Sequence, residues 1–355
     1  MTDPFGVYLH VPFCAHRCDY CAFATWTDKA HLVAQYLAAC RLEVERAVAA
    51  GMPVATSAFV GGGTPSLVPA ELLIDVLSAV PLATDAEVTV ECNPDTVTPE
   101  LLAAYRDGGV NRLSFGVQSM APHVLAALGR THDPANVRRC VELARSAGFD
   151  SFNLDVIYGA VGESLDDWRR TLAEVIALDP PHISAYALTV EPGTPLAADA
   201  ARHPDDDAQA DKYLLATDML GAAGYGWYEI SNWAKAGHEC RHNLLYWAQA
   251  DYLGFGCAAH SHRAGRRSWN VRTPERYIEA IESGRSAEGG AEELDEPTRR
   301  FEALELSLRT VDGVPAEALP VAELGGLVDV RPDGQAVLTV AGRLVANEIA
   351  VRIKT

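Results

Sequence analysis

Between Phe5 and Thr189 the apolar residues of this chain switch repeatedly between a period of two and one of about 3.6, and few folds accommodate that alternation. Phe5 to Val11 is β-branched and aromatic and reads as a strand. Ala30 to Ala50 then sets Val33, Tyr36, Leu37, Cys40, Val44 and Ala47 at helical spacing. Further strands are expected at Ala58 to Val60, Glu87 to Cys92, Arg112 to Val117, Ser151 to Ile157 and His182 to Thr189. Helices around Glu71 to Val80, Glu100 to Asp107, Pro134 to Ala147 and Leu165 to Leu178 separate them. Strands joined through helices pair in parallel. The expected class is α/β, with the sheet curved into a partial or full TIM-like (β/α) barrel in preference to a flat doubly wound sheet, although periodicity alone does not separate the two.

Register sorts the side chains of these strands. Val88, Val90 and Cys92 oppose Thr89 and Glu91; Leu113, Phe115 and Val117 oppose Ser114, Gly116 and Gln118; Phe152, Leu154 and Val156 oppose Asn153 and Asp155. If the apolar faces meet the helices, Glu91, Gln118 and Asp155 converge inside the sheet at its carboxyl end. One polar residue there would be a satisfied core group, but three at like depth on successive strands point to a ligand site.

Cys14, Cys18 and Cys21 occupy the loop leaving the first strand at that same end, spaced C-x3-C-x2-C. A four-iron cluster takes four ligands, so three thiolates leave one iron open to an exogenous ligand. An incomplete zinc site, or a redox pair with a spare thiol, fits the spacing alone as well. Gly61-Gly-Gly-Thr64-Pro65 follows the second strand and can present backbone N–H groups to an anion, or serve only as a tight turn. Arg130 could give a bound carboxylate a fixed positive charge, or be a solvated loop residue.

With 355 residues, 48% of them hydrophobic and 22% charged, the chain suits one large domain and a smaller one. Its formal net charge of −19 argues against nonspecific binding to nucleic acid or anionic membranes, which need a basic surface. No stretch approaches the roughly 20 apolar residues of a membrane span, and Met1 to Gly6 lacks the basic flank and apolar core of a signal peptide. The expected compartment is the cytoplasm, where eight cysteines stay reduced and a cluster survives.

The cysteine spacing resembles that of the radical S-adenosylmethionine (SAM) superfamily. Together with Tyr8-Leu-His-Val-Pro-Phe-Cys14, Gly61-Gly-Gly-Thr-Pro65, Glu91-Cys-Asn-Pro94, Ser114-Phe-Gly-Val-Gln-Ser119 and Asn153-Leu-Asp-Val-Ile-Tyr-Gly159, it gives the chain a likeness to the oxygen-independent coproporphyrinogen III oxidase family over nearly its whole length. That resemblance implies that Cys14, Cys18 and Cys21 hold a [4Fe-4S] cluster whose open iron binds SAM. It further implies SAM contacts from Tyr8, Gly62, Gly63, Thr64, Glu91, Gln118, Arg130 and Asp155, with Tyr20 beside the cluster. The family contains both decarboxylases and heme chaperones. In the decarboxylases a further cysteine lies two positions after the third ligand, where this chain has Phe23, and a long segment precedes the first strand, where here 13 residues precede Cys14. Both departures fit the chaperone branch. The expected function is to bind heme and transfer it to an acceptor protein, with the cluster and SAM governing the transfer or the assembly state. The alternative is a radical SAM oxidoreductase that decarboxylates a porphyrinogen.

Cys240-Arg-His242-Asn243-Leu-Leu-Tyr246-Trp247 resembles the heme-associated HNxxYW motif of that branch. The resemblance implies heme contacts from His242, Asn243, Tyr246 and Trp247, with an imidazole as axial ligand and the aromatic rings on the macrocycle. A histidine beside two aromatics is otherwise a packed, hydrogen-bonded residue. A zinc site drawn from Cys240, His242, Cys257, His260 and His262 is a further alternative.

The chain is expected to divide into a barrel at 1–230, an extension carrying this motif at 231–282, a linker rich in Gly, Ser and acidic residues at 283–296, and a small carboxyl-terminal domain at 297–355. With Phe301, Leu304 and Leu308 on a helix, a strand at Gln335 to Val340 and Leu344, Val345 and Ile349 on a last helix, that domain could be winged-helix-like. Residues 285–355 hold 8 Lys or Arg against 13 Asp or Glu, which argues against DNA and for a unit that covers the barrel's open side or docks a partner. Leu308 to Val314, with Gly313 as its turn residue, is a candidate loop toward the site.

Overall fold

The computed structural model describes residues 4–354. Its first half runs β1 (Phe5–Val11), α1 (Val33–Ala49), β2 (Ala55–Gly62), α2 (Ala70–Ser78), β3 (Leu82–Cys92), α3 (Pro99–Asp107), β4 (Arg112–Gln118), α4 (Pro122–Ala127), α5 (Pro134–Ser146), β5 (Ser151–Tyr158), α6 (Leu165–Ala177) and β6 (His182–Ala187). Each expected strand and helix is present, longer or shorter by a few residues. Helix starts are signalled locally: Thr98, Asp133 and Ser164 cap α3, α5 and α6 by accepting backbone N–H bonds.

The chain continues through α7 (Asp206–Ala222), β7 (Gly226–Glu229), β8 (Asn232–Ala234), α8 (Arg241–Trp247), β9 (Asp251–Phe255), β10 (His260–Arg263), β11 (Arg266–Asn270), α9 (Pro274–Glu282) and β12 (Glu288–Glu293). Twelve strands form one sheet in the order β12-β11-β10-β9-β1-β2-β3-β4-β5-β6-β8-β7. β1 to β6 pair in parallel, and β9 joins β1 in parallel from the other side. The two edge strands, β12 and β7, do not pair with each other, so the sheet is a partial barrel and not a closed one.

The segment 283–296, expected to be a linker, contains β12, which pairs with β11 from Gly290 opposite Trp269 to Glu293 opposite Arg266. Its glycines are structural: a Cβ at Gly290 would lie 2.6 Å from Cζ2 of Trp269. The composition of a linker here marks a strand that must leave room for an indole.

A second unit follows, built from α10 (Glu296–Leu308), β13 (Val314–Pro315), β14 (Val328–Val330), β15 (Gln335–Leu338), α11 (Val340–Leu344) and α12 (Ala346–Ala350). Its three strands form a separate antiparallel sheet, and Leu308, Val314, Leu324, Leu338 and Ile349 share a core of their own. Leu308 to Val314 docks on the β7 edge of the large sheet: Ile230 N donates to Arg309 O at 3.1 Å, Val311 N to Tyr228 O at 2.9 Å, and Arg309 Nε to the buried Glu229 at 2.7 Å. This segment lines neither cavity described below. Among the described residues no helix is long and apolar enough to cross a membrane.

Candidate functional site

The alternation read from the strands is the alternation of the barrel wall. Val88, Val90, Leu113, Phe115, Leu154 and Val156 are buried against the helices. The opposite face lines a small cavity of about 190 Å³ with Glu91, Ser114, Asn153, Asp155, Ser184 and Tyr186. Ser114 Oγ donates to Asp155 at 2.8 Å, Asn153 Nδ2 to the same carboxylate at 2.7 Å, and His182 Nδ1 lies 2.6 Å from Asn153 Oδ1. These bonds fix Asp155 without neutralising it. Glu91 receives one bond, from Gly62 N at 3.1 Å. Burial, and then the neighbouring charge of Asp155, push the Glu91 carboxyl up to about 8. Arg112 lines the same cavity and offsets part of the Asp155 charge, while Glu91 keeps room for a cation or hydroxyl donor.

Gln118 departs from the simple alternation. A register shift between Gly116 and Gln118 inserts an extra residue, and Gln118 adopts φ 62. Its amide folds over Gly116, where a Cβ would stand 3.1 Å from Gln118 Nε2 and 3.2 Å from Arg130 Nη2. Gln118 Oε1 and Arg130 Nε are buried without partners, so both have hydrogen-bonding capacity left for a ligand.

The cysteine loop is clamped at this end. Cys14 N donates to Trp26 O at 3.1 Å, Asp19 N to Leu128 O at 3.3 Å, and Arg202 bonds both Asp19 Oδ2 and Ala127 O at 2.7 Å. Arg130 Nη1 reaches Cys18 Sγ at 3.5 Å and Thr64 Oγ1 reaches Cys14 Sγ at 3.7 Å. All three thiols are partly exposed and unpaired. Burial raises the pKa of the Cys14 and Cys21 thiols, so holding them as thiolates requires a bound cation or cluster. Burial likewise raises the Tyr20 phenol beside Cys18, keeping it neutral. Among the described residues no three His, Cys, Asp or Glu side chains are gathered as a site for a single metal ion. Gly62 and Gly63 are required here. A Cβ on Gly62 would meet the His10 ring at 2.4 Å, and one on Gly63 would meet Phe13 O at 2.7 Å and Cys14 Sγ at 3.0 Å.

A second cavity, of about 680 Å³, opens beside the first and shares Tyr8 and Phe23 with it. Its walls include Tyr246, Tyr252 and Trp269, and its rim carries His260, Arg272 and Arg276. The sequence reading did not assemble this cavity. The available signal was Arg263-Ala-Gly-Arg266, whose Ala264 and Gly265 both take positive φ and turn β10 into β11.

His242, the candidate heme ligand, is enclosed in this structure. Helix α8 plugs the amino end of the barrel, with Gly6 so close that a Cβ there would lie 3.2 Å from His242 Cε1. Glu87 anchors the helix by accepting from His242 N at 3.1 Å and Arg241 N at 3.2 Å. The His242 ring is 1% exposed, with Nδ1 2.9 Å from Ser57 Oγ and Nε2 2.9 Å from Tyr246 OH. Burial pushes its pKa down to about 3, and neither nitrogen faces open space. Trp247 lies under Arg309, 4.4 Å from the guanidinium carbon to the ring centre, and tethers the carboxyl-terminal unit. Of the four motif residues only Asn243, in the smaller cavity, and Tyr246, in the larger, face a cavity. The zinc alternative also fails: Cys240 Sγ bonds Glu87 and Cys257 Sγ accepts from Tyr36, on separate elements.

Comparison with known proteins places this architecture. The profile of the radical SAM superfamily matches residues 8–175. The heme chaperone HemW of Mycobacterium tuberculosis is 42% identical over 98% of this chain and 94% of its own length. HemW of Escherichia coli is 40% identical over 86% of this chain and 84% of its own, and that of Bacillus subtilis 36% identical over 87% and 84%. Among solved structures, the coproporphyrinogen III oxidase HemN of Escherichia coli superposes with a TM-score of 0.85 over 98% of this chain and 89% of that one. At 24% identity this is a likeness of fold.

Proposed function

Because the chain belongs to the HemW family of radical SAM proteins, we propose that it is a heme chaperone, taking up heme beside a SAM-binding [4Fe-4S] cluster and passing it to an acceptor protein. The observation that carries this reading is the pair of contiguous cavities at the cysteine end, one small and acidic, the other large and aromatic. Cys14, Cys18 and Cys21 would hold the cluster, which supplies one-electron chemistry and an open iron site. Thr64 and Arg130 donate to two of the thiolates. Glu91 and Asp155 offer carboxylate oxygens to the ammonium and hydroxyl groups of SAM, and Gly62, Gly63 and Gln118 border them, with Tyr8 on the wall between SAM and heme. Eight free cysteines and the cluster suit a reducing compartment, the cytoplasm.

The HemN-like fold keeps one other reading in view, the decarboxylation of a porphyrinogen. Phe23 disfavours it: a phenyl ring, 60% exposed, stands on the shared wall two positions beyond the last cysteine. Anaerobically reconstituted protein is expected to bind heme stoichiometrically by absorbance titration, and to leave coproporphyrinogen III unchanged in the presence of SAM and a reductant. Turnover to protoporphyrinogen, or no heme binding, would overturn the chaperone reading.

A further inference from the structure

We propose that His260, and not the motif histidine His242, is the axial ligand of the heme iron, and that Arg272 and Arg276 receive the two propionates. This rests on the heme-chaperone reading and assigns its cargo site. A heme needs three things from a pocket: an apolar, aromatic space for the macrocycle, a nitrogen or oxygen lone pair at its centre, and cations at one edge. The cavity of about 680 Å³ is of the size that encloses ligands of several hundred daltons, and Tyr246, Tyr252, Trp269 and Phe23 give it flat apolar surface.

Two imidazoles border this cavity, and they differ in one respect. His10 is saturated, with Nε2 2.9 Å from Ala24 O and Nδ1 3.0 Å from Tyr8 OH. The His260 ring has no hydrogen-bond partner among the described residues, and the residue is exposed and lines the cavity. It stands opposite Trp269 in the β10–β11 pair, their ring centres 5.9 Å apart, so its position is set by packing while its lone pair is left over. Burial and the nearby Arg267 lower its pKa, favouring the neutral ring that binds metals. The tyrosines are poorer ligands, because burial raises the phenols of Tyr246 and Tyr252 and makes a phenolate costly.

The two arginines are as telling. In a chain of net charge −19, Arg266 and Arg267 on the same hairpin are each paired with two carboxylates. Arg272 and Arg276 are exposed at the cavity rim and pair with none among the described residues. Arg276 even sits in the first turn of α9, where the helix dipole disfavours a cation. Two unneutralised guanidinium groups beside an aromatic cavity match a ligand with two carboxylates.

The test is ferric heme titration of the full, cluster-reconstituted chain, read by the Soret band. His260→Ala is expected to weaken heme binding at least tenfold and shift the band, with added imidazole restoring it, while His242→Ala keeps the wild-type spectrum. The double variant Arg272→Gln, Arg276→Gln is expected to weaken heme at least tenfold and to leave the affinity for heme dimethyl ester unchanged. Iron content and far-UV circular dichroism establish that each variant is folded and loaded. An unchanged band and affinity in His260→Ala, or a shift confined to His242→Ala, would overturn this assignment and leave the chaperone reading standing. Failure of the wild type to bind heme would remove both.

Discussion

Gly62→Ala is expected to lower the stability of the chain by about 3 kcal/mol and to weaken SAM binding by more than tenfold. Two costs combine at this position. Gly62 adopts φ 110, which an alanine tolerates poorly, and its new Cβ would sit 2.4 Å from two atoms of the His10 ring. That ring cannot swing aside cheaply, since both its nitrogens are bonded and it is 5% exposed. Any shift of the Gly62 backbone also moves the N–H that Glu91 accepts. Gly51→Ala separates the two costs, because Gly51 has φ 90 but nothing within 4 Å of a Cβ. It should lose only about 1 kcal/mol. Chemical denaturation of both variants under anaerobic conditions measures the difference, and equal losses would show that the clash with His10 is relieved.

The second large effect falls on Glu91. Its carboxyl is held up near 8, against an ordinary value of 4.5 in the unfolded chain. Between those pH values the folded chain keeps a proton that the unfolded chain has released, so stability falls as pH rises through the window. Glu91→Gln cannot titrate, and the ligand-free variant is expected to be more stable than the parent at pH 8 by a few kcal/mol, with a flatter pH profile. A residual slope from Asp155, whose pKa burial also raises, should remain. Binding responds with the opposite sign. A bound ammonium favours the ionised carboxylate, so SAM affinity should rise with pH across the same window in the parent. In the variant it should drop by about 2–4 kcal/mol and lose the part of that dependence that belongs to Glu91, the remainder coming from Asp155. Calorimetric SAM titrations at pH 6.5 and 8.5, in buffers of different ionisation enthalpy, read both effects. Equal proton release in parent and variant would show that Glu91 does not titrate on binding.

The two carboxylates of this site were legible because a strand's side chains alternate. Val88, Val90 and Cys92 declare one face of β3 apolar, and Glu91 must then point inward; the same holds for Asp155 on β5. Gln118 fits that parity on paper, but the bulge before it is a backbone event with no composition of its own. Elsewhere the missing information was the neighbour. A Gly-rich acidic run looks like a linker until Trp269 is seen to need Gly290 beside it. For His242 the sequence left a packed residue and a heme ligand both open, because the groups on its two nitrogens, Ser57 and Tyr246, lie 185 residues before it and one helical turn after it. Short antiparallel strands such as β10 and β11 escape for a related reason: four or five residues are too few for a period to emerge, and only their Ala264-Gly265 turn is local. The cavity they complete could therefore be assembled only in three dimensions.

Tyr8 and Phe23 stand in the walls of both cavities. An occupant that repositions either ring in one cavity alters the surface offered in the other, and linkage makes that influence reciprocal: whatever factor SAM applies to heme affinity, heme applies to SAM affinity. Loading order then changes rates and never the final balance. With SAM and heme in these two cavities, as proposed, a cargo leaving for an acceptor would reset the grip on the cofactor it leaves behind.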